Sequence, residues 1–95
     1  MLIQKPIAEN DVITLKLITG EEVMATLVNN DGDTVTVKRP STIASNGQGM
    51  GIIPWMMTSR AEKVDINKSA VIAMSLTEEE IAKAYTETTS NIKLA

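Results

Sequence analysis

Alternating apolar and polar positions predict a β-strand near the start of the chain. Over residues 12–18, Ile13, Leu15 and Leu17 fall on one face, with polar side chains between them. This two-residue period is typical of a strand with one face buried and the other in solvent. Gly20 then marks a tight turn, because glycine adopts positive φ without steric cost.

Two more strands follow and complete a meander. The alternation over residues 22–28 divides the second strand between a core face, with Val23, Ala25 and Leu27, and a solvent face, with Met24, Thr26 and Val28. Asp31-Gly32 lies between two β patterns, which is a strong hairpin signal. Residues 34–39 predict the third strand, which either ends near Pro40 or continues past a bend through residues 41–45.

The later β pattern is shorter and more apolar. Residues 46–51 are a flexible, glycine-rich loop, and residues 52–57 predict a fourth strand. Pro54 restricts that strand to an edge or a bulge, because proline cannot donate to the ladder. Residues 64–66 and 70–74 add further β segments. We therefore expect a mainly β fold, with about five short strands in a small, strongly bent SH3-like barrel.

The end of the chain has a helical pattern instead. Thr77 and Glu80 have the spacing of a capping box, which predicts a C-terminal helix with its N-cap at Thr77. We expect this helix to fade in the threonine- and serine-rich run after Thr86. The chain then divides into a barrel domain, residues 1–76, and a helix and tail, residues 77–95.

Composition restricts the possible functions. The chain has no cysteine and no histidine, which excludes disulfides and thiolate metal sites and removes the commonest general base. We therefore expect no enzymatic activity, no cofactor and no metal. No apolar run is long enough to span a membrane, and no signal segment is visible at the N-terminus. These features indicate a cytoplasmic protein without a membrane partner.

Aromatic content and charge distribution add two expectations. With one Trp, one Tyr and no Phe, the core consists of small aliphatic side chains, and such a core favours stabilisation by oligomerisation. The net charge is −3, but residues 1–33 carry −4, residues 34–68 carry +3 and residues 69–95 carry −2. A basic central segment permits a local nucleic-acid-binding face in an acidic protein.

The spacing of four residues in the meander resembles the first sequence motif of the Sm family. Gly20, Ala25, Leu27 and Asp31 fall at that motif's intervals of five, two and four. Residues 66–73 resemble the second Sm motif, in which an aliphatic strand follows a short polar turn. The two matches occur in the order that the family has them.

A further run is most similar to one branch of the family. Residues 47–59, GQGMGIIPWMMTS, resemble the divergent Sm-like proteins of marine cyanophages. Some positions depart from the family pattern. Ala25 replaces the usual glycine, and Asn67-Lys68 replaces Arg-Gly. Val35 replaces the asparagine that commonly closes the first motif, and Asp33 replaces a residue that often stacks on a base. The helix also follows the strands instead of preceding them.

The resemblance implies an Sm-like barrel that assembles into a cyclic homo-oligomer of roughly five to seven copies through its edge strands. The apolar fourth and last strands are suited to that contact, since an apolar strand margin is costly unless it is covered. The candidate interface residues are Trp55, Met56, Met57, Val71 and Ala73. For Met56 and Met57, burial in the core of a single copy is the slightly favoured alternative.

The resemblance also implies that two loops facing the pore, residues 31–35 and residues 67–68, bind single-stranded nucleic acid. Asn67 is expected to contact a base edge and Lys68 a phosphate, although an ordinary solvated turn explains these two residues equally well. Asp33 and Val35 count against strong base binding. RNA is favoured modestly over DNA. The candidate nucleic-acid-binding residues are Asn67, Lys68, Asp33, Val35, Lys38, Arg39 and Arg60.

Three hypotheses of function result. The first is a ring-forming, Sm-like protein that binds single-stranded nucleic acid, as an RNA chaperone or a factor in RNA or DNA processing. The second is a structural or adaptor ring of phage origin that does not bind nucleic acid. The third is a small monomeric regulator of a host protein.

Overall fold

The structure is a computed structural model that describes residues 6–45 and 47–94, with side chains up to residue 90. The described residues form six β-strands, one 3₁₀ turn and one α-helix. The strands are β1 (Val12–Leu17), β2 (Glu22–Asp31), β3 (Thr34–Ser45), β4 (Met50–Pro54), β5 (Lys63–Asn67) and β6 (Val71–Leu76). The 3₁₀ turn, Lys68–Ala70, joins β5 to β6, and the helix α1 spans Glu79–Leu94. The predicted mainly β fold with a C-terminal helix is confirmed.

All the strands belong to one antiparallel sheet in the order β4-β3-β2-β1-β6, with β5 also paired to β3. The sheet is bent but does not close into a barrel. The sheet has six strands instead of the expected five, because two short strands pair with the side of β3 that faces away from β2. β4 pairs with residues 41–45 of β3, and β5 pairs with residues 34–38. The connection between them is residues 55–62.

One face of the sheet carries the main hydrophobic core. The predicted inward positions of β1 and β2 are all buried there, which confirms the alternation on this face. Side chains of β3 and β5 complete the cluster. Its buried members are Ile13, Leu15, Leu17, Val23, Ala25, Leu27, Val35, Val37 and Ile66. The core is wholly aliphatic, as the composition predicts.

The opposite face of β2 does not face solvent, so that part of the prediction is wrong. Met24 and Thr26 are buried, and Val28 is half-buried. The helix α1 covers this face of β2. Its Tyr85 is only 1% exposed, and the Tyr85 hydroxyl oxygen lies 3.1 Å from the Thr26 hydroxyl oxygen. The helix therefore gives the sheet a second buried layer.

Tyr85 also holds a bulge in β3. Met24 pairs with Ser41 and Thr26 with Lys38, so β3 has one more residue than β2 over this interval, the definition of a β-bulge. Arg39, inside the bulge, has a φ of 51°. The Tyr85 hydroxyl donates its proton to the carbonyl oxygens of Lys38 and Arg39, at 3.0 and 3.1 Å, and Thr26 donates to Tyr85.

The hairpin between β2 and β3 confirms the Asp-Gly signal. Asp31 pairs with Thr34, so the turn consists of Gly32 and Asp33. Gly32 has a φ of 61°, in the left-handed region that glycine adopts without strain. This tight turn fixes the position of Asp33 beside the end of β5.

The helix differs from the expectation at both ends. The Ile81 amide donates to the Glu78 carboxylate at 3.0 Å, so Glu78 caps the helix instead of Thr77. The Thr77 hydroxyl is bonded to that of Thr14 at 2.8 Å. α1 also continues to Leu94 instead of fading after Thr86. Hydroxyls in its threonine-rich part donate to carbonyls one turn earlier, which is how threonine is accommodated inside a helix.

Tyr85→Phe tests the contact between the helix and the bulge. Removal of the hydroxyl leaves the Lys38 and Arg39 carbonyls without this donor, so the free energy of unfolding is expected to fall by about 1–3 kcal/mol. Urea denaturation measures the change. Thr86→Ala is the control, because Thr86 is on the same helix and outside the contact with the bulge, and the change is expected to be within about 0.5 kcal/mol. An unfolding free energy equal to that of the wild type would contradict the role of Tyr85.

Candidate nucleic-acid interface

The two loops expected to contact nucleic acid lie side by side. The Lys68 amide donates to the Asp33 carbonyl at 2.8 Å, and Asn67 is the register partner of Thr34. Asp33, Asn67 and Lys68 are all exposed. We call these three residues the corner. The fold therefore brings together residues that are more than thirty positions apart in sequence.

The corner combines hydrogen-bonding capacity with a mixed charge. The Asn67 amide offers both donors and acceptors, the set that reads a base edge. Lys68 supplies one positive charge, but Asp33, whose carbonyl accepts the Lys68 amide, brings a negative charge to the same corner, and the exposed Asp31 lies two residues earlier in the hairpin. Acidic side chains repel phosphate, so Lys68 alone gives the corner only weak attraction for a nucleic-acid backbone.

Val35 does not belong to this surface, so its inclusion among the candidate nucleic-acid-binding residues is wrong. Its side chain is 1% exposed and packs in the main hydrophobic cluster. The reason is strand alternation: Thr34 and Thr36 point to the outer face of β3, so Val35 points to the core. Its contribution is to the stability of the hairpin.

The other basic candidates lie farther along β3 and after β4. Arg39 is five residues beyond Thr34, which is about 17 Å along a strand. Its guanidinium forms an ion pair with Glu62 at 3.2 Å, so its charge is already compensated. Lys38 is half-buried and Arg60 is exposed in the connection between β4 and β5. The six candidates other than Val35 thus divide into the three residues of the corner and three basic residues outside it.

The fourth-strand candidates for the subunit interface lie after β4, not in it. Trp55 is half-buried against the core, and its Nε1 donates to the Glu21 carboxylate at 3.3 Å. Met56 and Met57 are exposed, Met57 by 73%. The favoured alternative, burial of these two methionines in the core, is therefore wrong.

The last strand has an irregularity that the sequence pattern concealed. In its pairing with β1, Lys16 faces Ala73 and Leu17 faces Val71, so Ile72 is an extra residue. Val71 packs against the core, whereas Ala73 is exposed and Ile72 is 65% exposed. Sequence reasoning missed Ile72. The sequence does carry a signal for Ile72, because β6 has apolar residues on both faces. A strand with one buried face needs them on that face only.

A groove on the helix side of the sheet was also missed. Its volume is about 440 Å³. It lies between the start of α1 and the outer faces of β1, β2, β3 and β4, and two carboxylates, Glu22 and Glu78, line it. Its apolar lining residues are Met24, Ile43, Met50 and Ile81.

Two features are absent from the part of the chain that the structure describes. Those residues include no group of three or more acidic, histidine or cysteine side chains placed to hold a metal ion. They also include no helix whose length and apolar character would let it cross a membrane.

A comparison with protein families identifies the family to which this bent antiparallel sheet belongs. The family model described as the Sm-like domain matches residues 14–86. The match begins inside β1, covers the other five strands, and ends in α1 one residue after Tyr85. The chain therefore belongs to the Sm-like family. A comparison with curated proteins gives no match.

Proposed function

We propose that this Sm-like protein forms a cyclic homo-oligomer through its sheet edges and binds single-stranded nucleic acid, RNA in preference to DNA, at the repeated corners. It acts by binding and not by catalysis. The observation that carries the proposal is that the sheet is open. Within the described residues, β4 and β5 pair only with β3, and β6 pairs only with β1.

The side chains on these edges support pairing between copies. Ile72 and Leu76 are exposed on β6, and Met50 and Ile53 are exposed on β4. An unpaired apolar edge is a liability for a soluble protein unless another chain covers it. Pairing of β6 of one copy with β4 of the next is head-to-tail, and a head-to-tail contact that closes gives a ring. Roughly five to seven copies are expected.

A ring supports nucleic-acid binding because it repeats the corner. One Asn67 and one Lys68 per subunit are weak ligands alone, but a flexible strand that contacts several copies gains avidity. The proposed role is in RNA or DNA processing or as an RNA chaperone. From the resemblance of residues 47–59 to the Sm-like proteins of marine cyanophages, we propose that this role is carried out in the cytoplasm of a phage-infected cell.

A second candidate function is an adaptor ring that does not bind nucleic acid. Two observations favour it. The acidic Asp33 lies in the corner beside Lys68, and the groove beside α1 combines apolar side chains with Glu22 and Glu78, a surface suited to a protein partner. Assembly is common to both functions, so nucleic-acid binding separates them.

Ile72→Asp tests the assembly. A carboxylate on the β6 edge would be desolvated in a strand-to-strand contact, so the variant is expected to be monomeric at micromolar concentration, whereas the wild type is oligomeric. Light scattering measures the mass. Ile18→Asp is a matched control, since Ile18 is 64% exposed in the turn after β1, and it is expected to stay oligomeric. A wild type that is monomeric would contradict the ring.

Lys68→Ala tests the corner. Wild-type binding to short A-rich and U-rich RNAs is expected to weaken as salt rises, and the variant is expected to bind more weakly to both, because a phosphate contact carries no sequence information. Fluorescence anisotropy at two salt concentrations measures this. Lys83→Ala, on α1 and away from the corner, is the control. An oligomeric wild type that binds neither RNA at low salt would favour the adaptor ring.

A further inference from the structure

Two lysines face each other directly across the ladder between β3 and β5. Lys38 and Lys63 are register partners. In such a pair the Cβ atoms are about 4.5–5.5 Å apart, and two like charges placed in this way destabilise the sheet. A cross-strand pair of lysines is therefore a cost to the free protein, and an anion between them would remove that cost.

No ion pair in the described part of the chain compensates these two charges. The nearest acidic residue in sequence, Glu62, is paired with Arg39 at 3.2 Å. Asp65 lies next along the same face of β5, and its carboxylate accepts the Thr36 hydroxyl at 2.6 Å. On this face of β5, the two positive charges therefore lie beside one negative charge, that of Asp65.

The pair belongs to the same face as the corner. Alternation along β5 places Lys63, Asp65 and Asn67 on the outer face, and Val64 and Ile66 towards the core. Lys63 and Asn67 are four residues apart, about 13 Å along a strand. An exposed polar track thus runs along β5 from the corner to the two lysines.

We propose that Lys38 and Lys63 form a second phosphate-binding site, which holds the backbone of a single-stranded nucleic acid that also contacts the corner. The site deepens the proposed function and rests on it. A phosphate between two ammonium groups neutralises their repulsion and releases counterions from the nucleic acid. The pair supplies what the corner lacks, since Lys68 shares the corner with the acidic Asp33. Arg39 is excluded from this site because Glu62 occupies its guanidinium.

The test compares Lys38→Ala, Lys63→Ala and the double variant with the wild type in anisotropy titrations of short A-rich and U-rich RNAs. Each single variant is expected to bind both RNAs about threefold or more weakly, and removal of each phosphate contact is expected to reduce the slope of log K against log salt by about 0.7. Lys63→Arg is expected to retain binding, because it keeps the charge. Lys83→Ala is the control for removal of one positive charge elsewhere.

Thermal unfolding without RNA separates binding from folding. Because each single substitution removes a like-charge contact, the midpoint temperature is expected to be equal to or above that of the wild type. A lower midpoint with unchanged affinity would make the lysines structural and overturn the inference. If the double variant binds RNA with the same affinity as Lys83→Ala, the inference is also overturned. The proposed role of the corner would still stand in that case, provided that Lys68→Ala weakens binding. A wild type that binds no RNA at low salt would overturn both.

Discussion

The bulge in β3 at Arg39 is the constraint on which the rest of the fold depends. β3 is twelve residues long and pairs with β2 on one side and with two different strands on the other. A regular strand of this length would carry both partners in one flat ladder. The bulge changes its direction instead, so β5 follows the first half of β3 and β4 the second. Tyr85 stabilises this bend from outside by bonding the two carbonyls that the bulge turns away from the ladder.

This constraint explains why the helix matters to such a small protein. The main core is wholly aliphatic and lies on one face of the sheet, and α1 adds a second buried layer over Met24 and Thr26 on the other. The helix thus contributes burial that an open sheet in a chain of 95 residues would otherwise lack. The Sm-like family match ends just after Tyr85, so it includes the residue through which the helix contacts the bulge.

Local patterns predicted the first three strands and their turns, because these elements depend on alternation and on glycine, which are visible in sequence. The sequence did not predict burial of Met24 and Thr26, since their cover comes from a helix some sixty residues later. Ile72 was missed because a bulge shifts the alternation of β6 without any proline or glycine to mark it. The motif spacing and the family resemblance grouped Asp33, Asn67 and Lys68, and the fold does bring these residues together. The same reasoning also selected Val35, which strand alternation places in the core.

The proposed functional surfaces lie on the two sides of this bend. The corner and the lysine pair flank β5, along the first half of β3, whereas the apolar edge of β4 and the groove lie along the second half. The bulge marks the boundary between these two regions of β3. The Tyr85 hydroxyl bonds the two carbonyls at this boundary.

The titration of Tyr85 tests this most directly, because it is the only tyrosine in the chain and tyrosinate absorbance reports it alone. Burial raises the pKa of Tyr85 above its ordinary value of 10.0, so its stabilising effect is complete below pH 10.0 and disappears as pH rises through the folded-state pKa. We expect the folded protein to titrate above 10.0 and the urea-unfolded chain to titrate near it. A folded protein whose tyrosine titrates at the ordinary value would show that the hydroxyl is in solvent and does not hold the bulge.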